Sequence, residues 1–251
     1  MTRIIITGCN GYMGQFLTDL IAADKDAEVV AGIDIANTKE RPYPVFATPA
    51  ECNVEADVVI DFSHFSAVDA LLDFCEEKKL PLVLCTTALK EETLVHVAEA
   101  SRQTAILRSA NMSLGINLFM KMLKEAASKL APAGYDIEIV EAHHNRKIDA
   151  PSGTAIALGE SINDALDNEY HFVFNRSDRH EKRDPKEIGI SAIRGGSIVG
   201  DHEIMFCGQD EVITFRHTAY SRAIFGKGAI EAAKYLSGKP AGMYDMSDVI
   251  G

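Results

Sequence analysis

The stretch EAHHNRKIDAPSGTA (residues 141–155) gathers His143, His144, Lys147, Asp149, Ser152, Gly153 and Thr154 beside one turn. An imidazole exchanges protons near neutrality, which makes His143 a candidate acid or base. Lys147 follows closely and offers an ammonium as proton donor or counter-charge. Pro151 turns the chain, and Ser152 is placed to cap a helix whose apolar stripe runs through Ala155, Leu158, Ile162, Ala165 and Leu166. Ser152, Gly153 and Thr154 would then present hydroxyls and backbone N–H groups at the positive end of that helix, where a carboxylate binds well. A strand running regularly through both histidines would send their side chains to opposite faces, so either one histidine is structural or the strand ends there. The remaining histidines, His64, His96, His171, His180, His202 and His217, stand alone and read as surface or satisfied core groups. Metal binding by His143, His144 and Asp149 lacks the ligand spacing of zinc motifs, and Ser152 lacks the GxSxG form of a nucleophile elbow. No metal site is expected.

A second chemistry-bearing segment lies at the N-terminus. ITGCNGYMG sets Gly8, Gly11 and Gly14 between an apolar strand and an amphipathic helix, the context of a dinucleotide-binding turn. The GxxGxxG spacing alone is weak. Asp34 strengthens it, because an acidic residue at the end of the next strand is placed to bond ribose hydroxyls. A carboxylate there repels a 2′-phosphate, and Ile35 brings no cation, so NADH is favoured over NADPH. Lys39 and Arg41 could reach in and keep NADPH available.

The elements that must hold these groups follow from periodicity. RIIIT (3–7), EVVAGID (28–34), ADVVIDF (56–62), LPLVLCTT (80–87) and TAILRSA (104–110) read as strands buried on both faces. Between them, helical spacing joins Met13, Phe16, Leu17, Leu20 and Ile21, then Val68, Leu71, Leu72 and Cys75, then Leu94, Val95 and Ala98. Strand–helix alternation of this kind implies an α/β fold with a doubly wound parallel sheet of Rossmann type. The pattern then changes. A helix over 113–130 carries a stripe through Leu114, Leu118, Phe119, Met122, Leu123, Ala126 and Leu130. DIEIVEAH reads as a strand, and 187–219 as strands turned at Gly195-Gly196 and Gly208-Gln209-Asp210, which gives a second domain of α+β, mixed-sheet character. The loop 175–187 is highly charged and reads as exposed. The tail AIFGKGAIEAAKYLSGKP returns to helix.

The chain has 251 residues, enough for two modest domains, and a net charge of -12. That charge makes nucleic acid and anionic membrane poor partners, without excluding a small anion held in a local basic pocket. Cys9, Cys52, Cys75, Cys85 and Cys207 are scattered, with no CxxC pair, and read as reduced thiols. The first apolar run is too short for a signal or membrane span, so a cytoplasmic location is expected.

Taken together, EAHHNRKIDAPSGTA closely resembles the signature of the 4-hydroxy-tetrahydrodipicolinate reductase (dihydrodipicolinate reductase) family of bacterial lysine biosynthesis. GCNGYMG is similar to that family's GxxGxMG, IDFS to a second strand-end contact, CTTA to its GTTG and SANMSLG to its ANFSxG. IRGGSIVGDHEIMF and HTAYSRAIFGKGAIEAA resemble later family segments. The resemblance implies a homotetramer reducing a cyclic dicarboxylate with NADH or NADPH. It implies a dinucleotide-binding domain of 1–112 plus 223–251, and a substrate-binding and tetramerisation domain of 113–222. Carried over by motif, His143 and Lys147 are the catalytic acid/base pair, while His144, Ser152, Gly153 and Thr154 bind substrate. Gly8, Cys9, Asn10, Gly11, Tyr12, Met13, Asp34, Phe62, Ser63, Cys85, Thr86, Thr87, Ser109, Ala110, Asn111 and Met112 contact the cofactor. Two departures stand out. Cys85 and Ala88 replace the glycines of GTTG, which reduces backbone latitude, and Met112 replaces a phenylalanine. The residues by themselves leave open another nicotinamide-dependent reductase of a small carboxylate, or a dinucleotide sensor without chemistry.

Overall fold

The computed structural model describes residues 1–36, 40–177 and 179–251. Along the chain come β1 (Thr2–Thr7), α1 (Tyr12–Ala22), β2 (Ala27–Ile33), β3 (Val45–Phe46), β4 (Val58–Asp61), α2 (Val68–Lys78), β5 (Leu82–Leu84), α3 (Glu91–Ala100) and β6 (Ala105–Arg108). There follow α4 (Leu114–Leu130), β7 (Asp136–His143), α5 (Gly153–Asp164), β8 (His171–Val173), β9 (Glu187–Arg194), β10 (Gly200–Cys207) and β11 (Val212–Ala219). The chain ends with α6 (Ala223–Leu236), β12 (Gly242–Tyr244) and α7 (Met246–Ile250). These elements form two compact units, Met1–Leu114 with Ala223–Gly251, and Gly115–Arg222.

In the first unit the described strands form one parallel sheet in the order β12-β6-β5-β4-β1-β2-β3. Alternation along β1 sends Ile4 and Ile6 into one core with Leu17, Ile21, Ala229, Ile230 and Leu236, and Ile5 into another with Leu71, Leu72, Val97 and Ile106. Each fully buried Ile or Leu contributes about 1.5–3 kcal/mol through area removed from water. The expected α2 stripe is fully buried. The α3 face differs from expectation. Thr93, Val97 and Ala100 face inward while Val95 is exposed: Val97 and Ala100 join the core with Leu71, Leu72 and Cys75, and the Thr93 hydroxyl bonds Asp69 of α2 (3.1 Å).

The second unit has a mixed sheet, ordered β11-β10-β7-β9-β8 among the described strands. β7 runs parallel to β9 and antiparallel to β10. Ile137, Ile139, Ile188, Ile190, Ile204 and Phe206 form its core with α4 and α5. On α4 the apolar stripe is wider than the face that is covered: Ile116, Phe119, Leu123 and Ala127 are buried, whereas Leu118 and Met122 stay exposed. The charged loop is exposed over most of its length but is fastened to the sheet. Arg176 and Arg179 pair with the buried Glu187, and Arg183 pairs with Asp136 and Glu138. Among the described residues no helix is long and apolar enough to cross a membrane.

Candidate active site

Five of the parallel strands, β1, β2, β4, β5 and β6, deliver expected cofactor residues at their carboxyl ends, and β1 lies between β2 and β4, where the winding reverses. A cavity of about 720 Å³ opens there, lined by Gly8, Asn10, Gly11, Asp34, Phe62 and Ser63, with Ile33, Ile35, Ala36 and His64 beside them. Gly8 has φ +72, and a Cβ on it would come within 2.5 Å of the Phe62 carbonyl oxygen. At Gly14 a Cβ would lie 2.2 Å from the Gly8 carbonyl oxygen, so the helix can approach the turn only without a side chain. Gly11 caps α1, leaving that helix's N-terminus turned to the glycine loop.

The loop is stitched to the end of β2. Asp34 accepts the Asn10 backbone N–H at 2.8 Å and that of Ala36 at 2.9 Å. Arg41 donates to the Asn10 side-chain oxygen (3.0 Å) and to the Cys9 carbonyl (2.8 Å), which sets a guanidinium against the same loop. Lys39 lies outside the described residues. Cys9 itself is buried behind the turn, and burial, reinforced by Asp34, pushes its thiol up to about 11. All the cysteines are free.

At the neighbouring strand ends, Asp61 is fully buried, accepting from the Thr7 hydroxyl and from the Ser63 N–H, the latter at 3.0 Å. Thr86 donates to the Ser63 carbonyl at 3.0 Å, linking the turns after β4 and β5. Ala88 adopts φ +58, so this chain has a left-handed residue where the resembled motif has glycine. Tyr12 and Thr87 are exposed and Met13 and Cys85 half-buried. In the segment after β6, Ser109 and Ala110 lie nearer the surface, whereas Asn111 is buried and accepts the Ser113 N–H at 2.8 Å. Met112 is packed into the core, its carbonyl against Gly228.

In the second unit β7 ends at His143, which answers the question its two histidines raised. His143 closes the inward row of the strand and is buried, while His144 lies in the turn beyond. Burial and then the cations Arg146 and Arg222 hold His144 below the ordinary histidine value, and its Nδ1 is buried without a partner among the described residues. Lys147 pairs with Asp149 at 2.9 Å and holds that carboxyl low. Helix α5 begins as expected, with the Ser152 hydroxyl accepting the Ala155 N–H at 3.1 Å. Gly153 is exposed with open space around it, and Thr154 follows half-buried. Ser152 departs from expectation. It is buried, its N–H donates to Glu141 (2.9 Å), and its hydroxyl also meets His202 (3.2 Å), so its polar groups serve the fold of the turn.

Three residues of this site were not singled out by the sequence. Glu141 is fully buried and accepts from His143 Nδ1 at 2.7 Å. Arg194, in register with His143 across the β7–β9 ladder, grips that carboxylate at 2.8 and 2.7 Å. Burial raises the Glu141 carboxyl, but the bonds from Arg194, His143 and the Ser152 N–H outweigh it, leaving the group below its ordinary value. His202 is not an isolated histidine: it lies opposite Glu141 in the β7–β10 ladder, edge-on to His143. For Glu141 a sequence signal existed, since a residue two before His143 shares its strand face. The other two come from distant strands.

The chain matches the family model described as dihydrodipicolinate reductase, N-terminus, over residues 2–112, and the C-terminus model over residues 115–250. It is 49% identical to the 4-hydroxy-tetrahydrodipicolinate reductase of Caldanaerobacter subterraneus subsp. tengcongensis, covering 100% of this chain and 98% of that one. It is also 49% identical to the same-named protein of Brachyspira hyodysenteriae, covering 99% of each. Among solved structures it resembles a dipicolinate-bound dihydrodipicolinate reductase from Paenisporosarcina sp. TG-14, with TM-score 0.81, 23% identity and 100% of both chains covered. A probable dehydrogenase from Thermotoga maritima shares the fold at TM-score 0.64 and 14% identity, covering 99% and 92% of the two chains. Matched in both of its units and along its whole length, the chain belongs to the dihydrodipicolinate reductase family.

Proposed function

We propose that this chain reduces 4-hydroxy-tetrahydrodipicolinate to tetrahydrodipicolinate in lysine and diaminopimelate biosynthesis, using NADH or NADPH. Family membership over the full length carries this reading. The chain's own residues fit a dinucleotide: the glycine turn at Gly8, Gly11 and Gly14 leaves room for a pyrophosphate against the start of α1, and Asp34 stands at the rim for a ribose. When bound, that cofactor supplies the hydride. NADH is the favoured form because of Asp34 and Ile35, and Arg41 keeps a cation near enough for NADPH to serve as well.

The substrate in this reading is a small cyclic dicarboxylate, in keeping with the dipicolinate bound by the structural relative. One carboxylate rests on the α5 start at Gly153 and Thr154, with His144 beside it. Lys147 supplies positive charge, and His143 or Lys147 delivers the proton that balances the hydride, the substrate's hydroxyl leaving as water. A positioned proton donor contributes about two to four orders of magnitude in rate.

Assembly as a homotetramer through the second unit belongs to the same reading. Ile193 and Val212 are exposed on its strands, and light scattering on the purified chain tests it. The location we assign is the cytoplasm, where free thiols stay reduced.

The deciding experiment is oxidation of NADH and NADPH in the presence of 4-hydroxy-tetrahydrodipicolinate. Turnover with it supports the proposal. Turnover only with another small acid, or binding of the dinucleotide without turnover, overturns it.

A further inference from the structure

We infer that Glu141 and Arg194 are positioning residues, which hold His143 with Nδ1–H on the carboxylate so that Nε2 is the atom that exchanges the proton. The inference rests on the reading of His143 as a proton-transfer group given above.

The Glu141 carboxylate is fully buried, and donors occupy both of its oxygens. One takes His143 Nδ1 at 2.7 Å and Arg194 Nη1 at 2.8 Å; the other takes the Ser152 N–H at 2.9 Å and Arg194 Nη2 at 2.7 Å. An ionised carboxylate only accepts, so the imidazole nitrogen facing it must carry its proton there. The opposite tautomer would aim a lone pair at a carboxylate oxygen 2.7 Å away, too close for a water to fit between them. His143 Nε2 points the other way, over Gly200, where even a Cβ would come within 3.2 Å of it. The ring of His202 stands edge-on at 5.3 Å between centroids and limits rotation.

Stability does not explain this arrangement well, because apolar residues of similar volume commonly replace a buried ion pair at no cost. What the pair does accomplish is a linkage. The same carboxylate holds the imidazole and, through the Ser152 N–H, the first residue of the α5 cap. The proton-transfer group and the carboxylate grip therefore share one anchor, and Arg194 fixes that anchor through a two-pronged bond that a lysine cannot reproduce.

The test begins on the unaltered protein. Nitrogen-15 NMR of histidine-labelled enzyme is expected to show His143 protonated at Nδ1 when neutral. A neutral His143 protonated at Nε2 overturns the inference, whether or not turnover with the proposed substrate is found. Glu141→Gln and Arg194→Met are then expected to lower kcat by about 100-fold or more, to raise KM, and to leave NADH affinity unchanged. Arg194→Lys recovers part of the loss. Folded Glu141→Gln with unaltered kcat and KM also overturns the inference, and should that variant not fold, the tautomer measurement decides alone.

Discussion

The Nε2 of His202 lies 3.2 Å from the hydroxyl of Ser152, so a histidine on β10 supports the cap of α5 from beneath. That position keeps it neutral: burial, and then the nearby His143, push it down to about 4 from 6.5. A folded state that binds this proton less readily than the unfolded chain is fully stable above the unfolded value and loses stability as pH falls through the gap. Unfolding free energy is therefore expected to drop between pH 6.5 and 4, with His202 accounting for roughly 3 kcal/mol at most. In His202→Gln that part of the slope should vanish. Urea titrations at several pH values check this, and identical slopes in the two proteins would rule it out.

Turnover should depend on the loop more than binding does. His143→Ala and Lys147→Ala are each expected to reduce kcat by about 100- to 10,000-fold while the dissociation constant for NADH stays near its original value. Initial rates and a fluorescence titration separate the two effects. Near-normal turnover in both variants would refute their assignment as the acid/base pair.

In the proposed reading, cofactor choice is set at the mouth of the glycine loop. Asp34 accepts the Asn10 and Ala36 N–H groups at the rim of the cavity, where the proposed reading puts a ribose. Asp34→Ser should raise kcat/KM with NADPH relative to NADH, and Arg41→Ala should lower it by about tenfold, the effect of removing one well-placed counter-charge of about 1.4 kcal/mol. A ratio unmoved by both changes would mean that discrimination lies elsewhere.

Ala88 holds φ +58, a conformation that costs an L-residue about 1–2 kcal/mol. Glycine removes that strain but adds about 0.4–1 kcal/mol of unfolded-state entropy. The strain is the larger effect, so Ala88→Gly should stabilise the chain by about 0.5 kcal/mol and raise Tm by about 1–2 °C. Calorimetry that finds a lower Tm would show the turn to be unstrained.

Much of the fold was legible because it is local. The strand at DIEIVEAH ends where the pattern ends, at His143, and the 187–219 region breaks at its glycine turns into β9, β10 and β11. Short elements such as β3, β8 and β12 were not legible, since two or three residues carry no period. On α3 the buried face runs through Thr93, Val97 and Ala100, because Val97 and Ala100 complete the core beside α2, a tertiary contact that apolar spacing along the helix leaves open.

The amino-acid order alone determined the kind of chemistry available: a glycine turn followed by an acidic strand end, and an imidazole, an ammonium and a helix start within one loop. Those features depend on neighbours in the chain, whose geometry a period or a cap dictates. Tertiary structure decided the rest. Which carboxylate orients His143, which guanidinium clamps that carboxylate, and which second imidazole supports Ser152 depend on the register of β7 between β9 and β10. Register is a property of strand pairs far apart in sequence, and a shift of one residue would turn every one of these side chains to the other face.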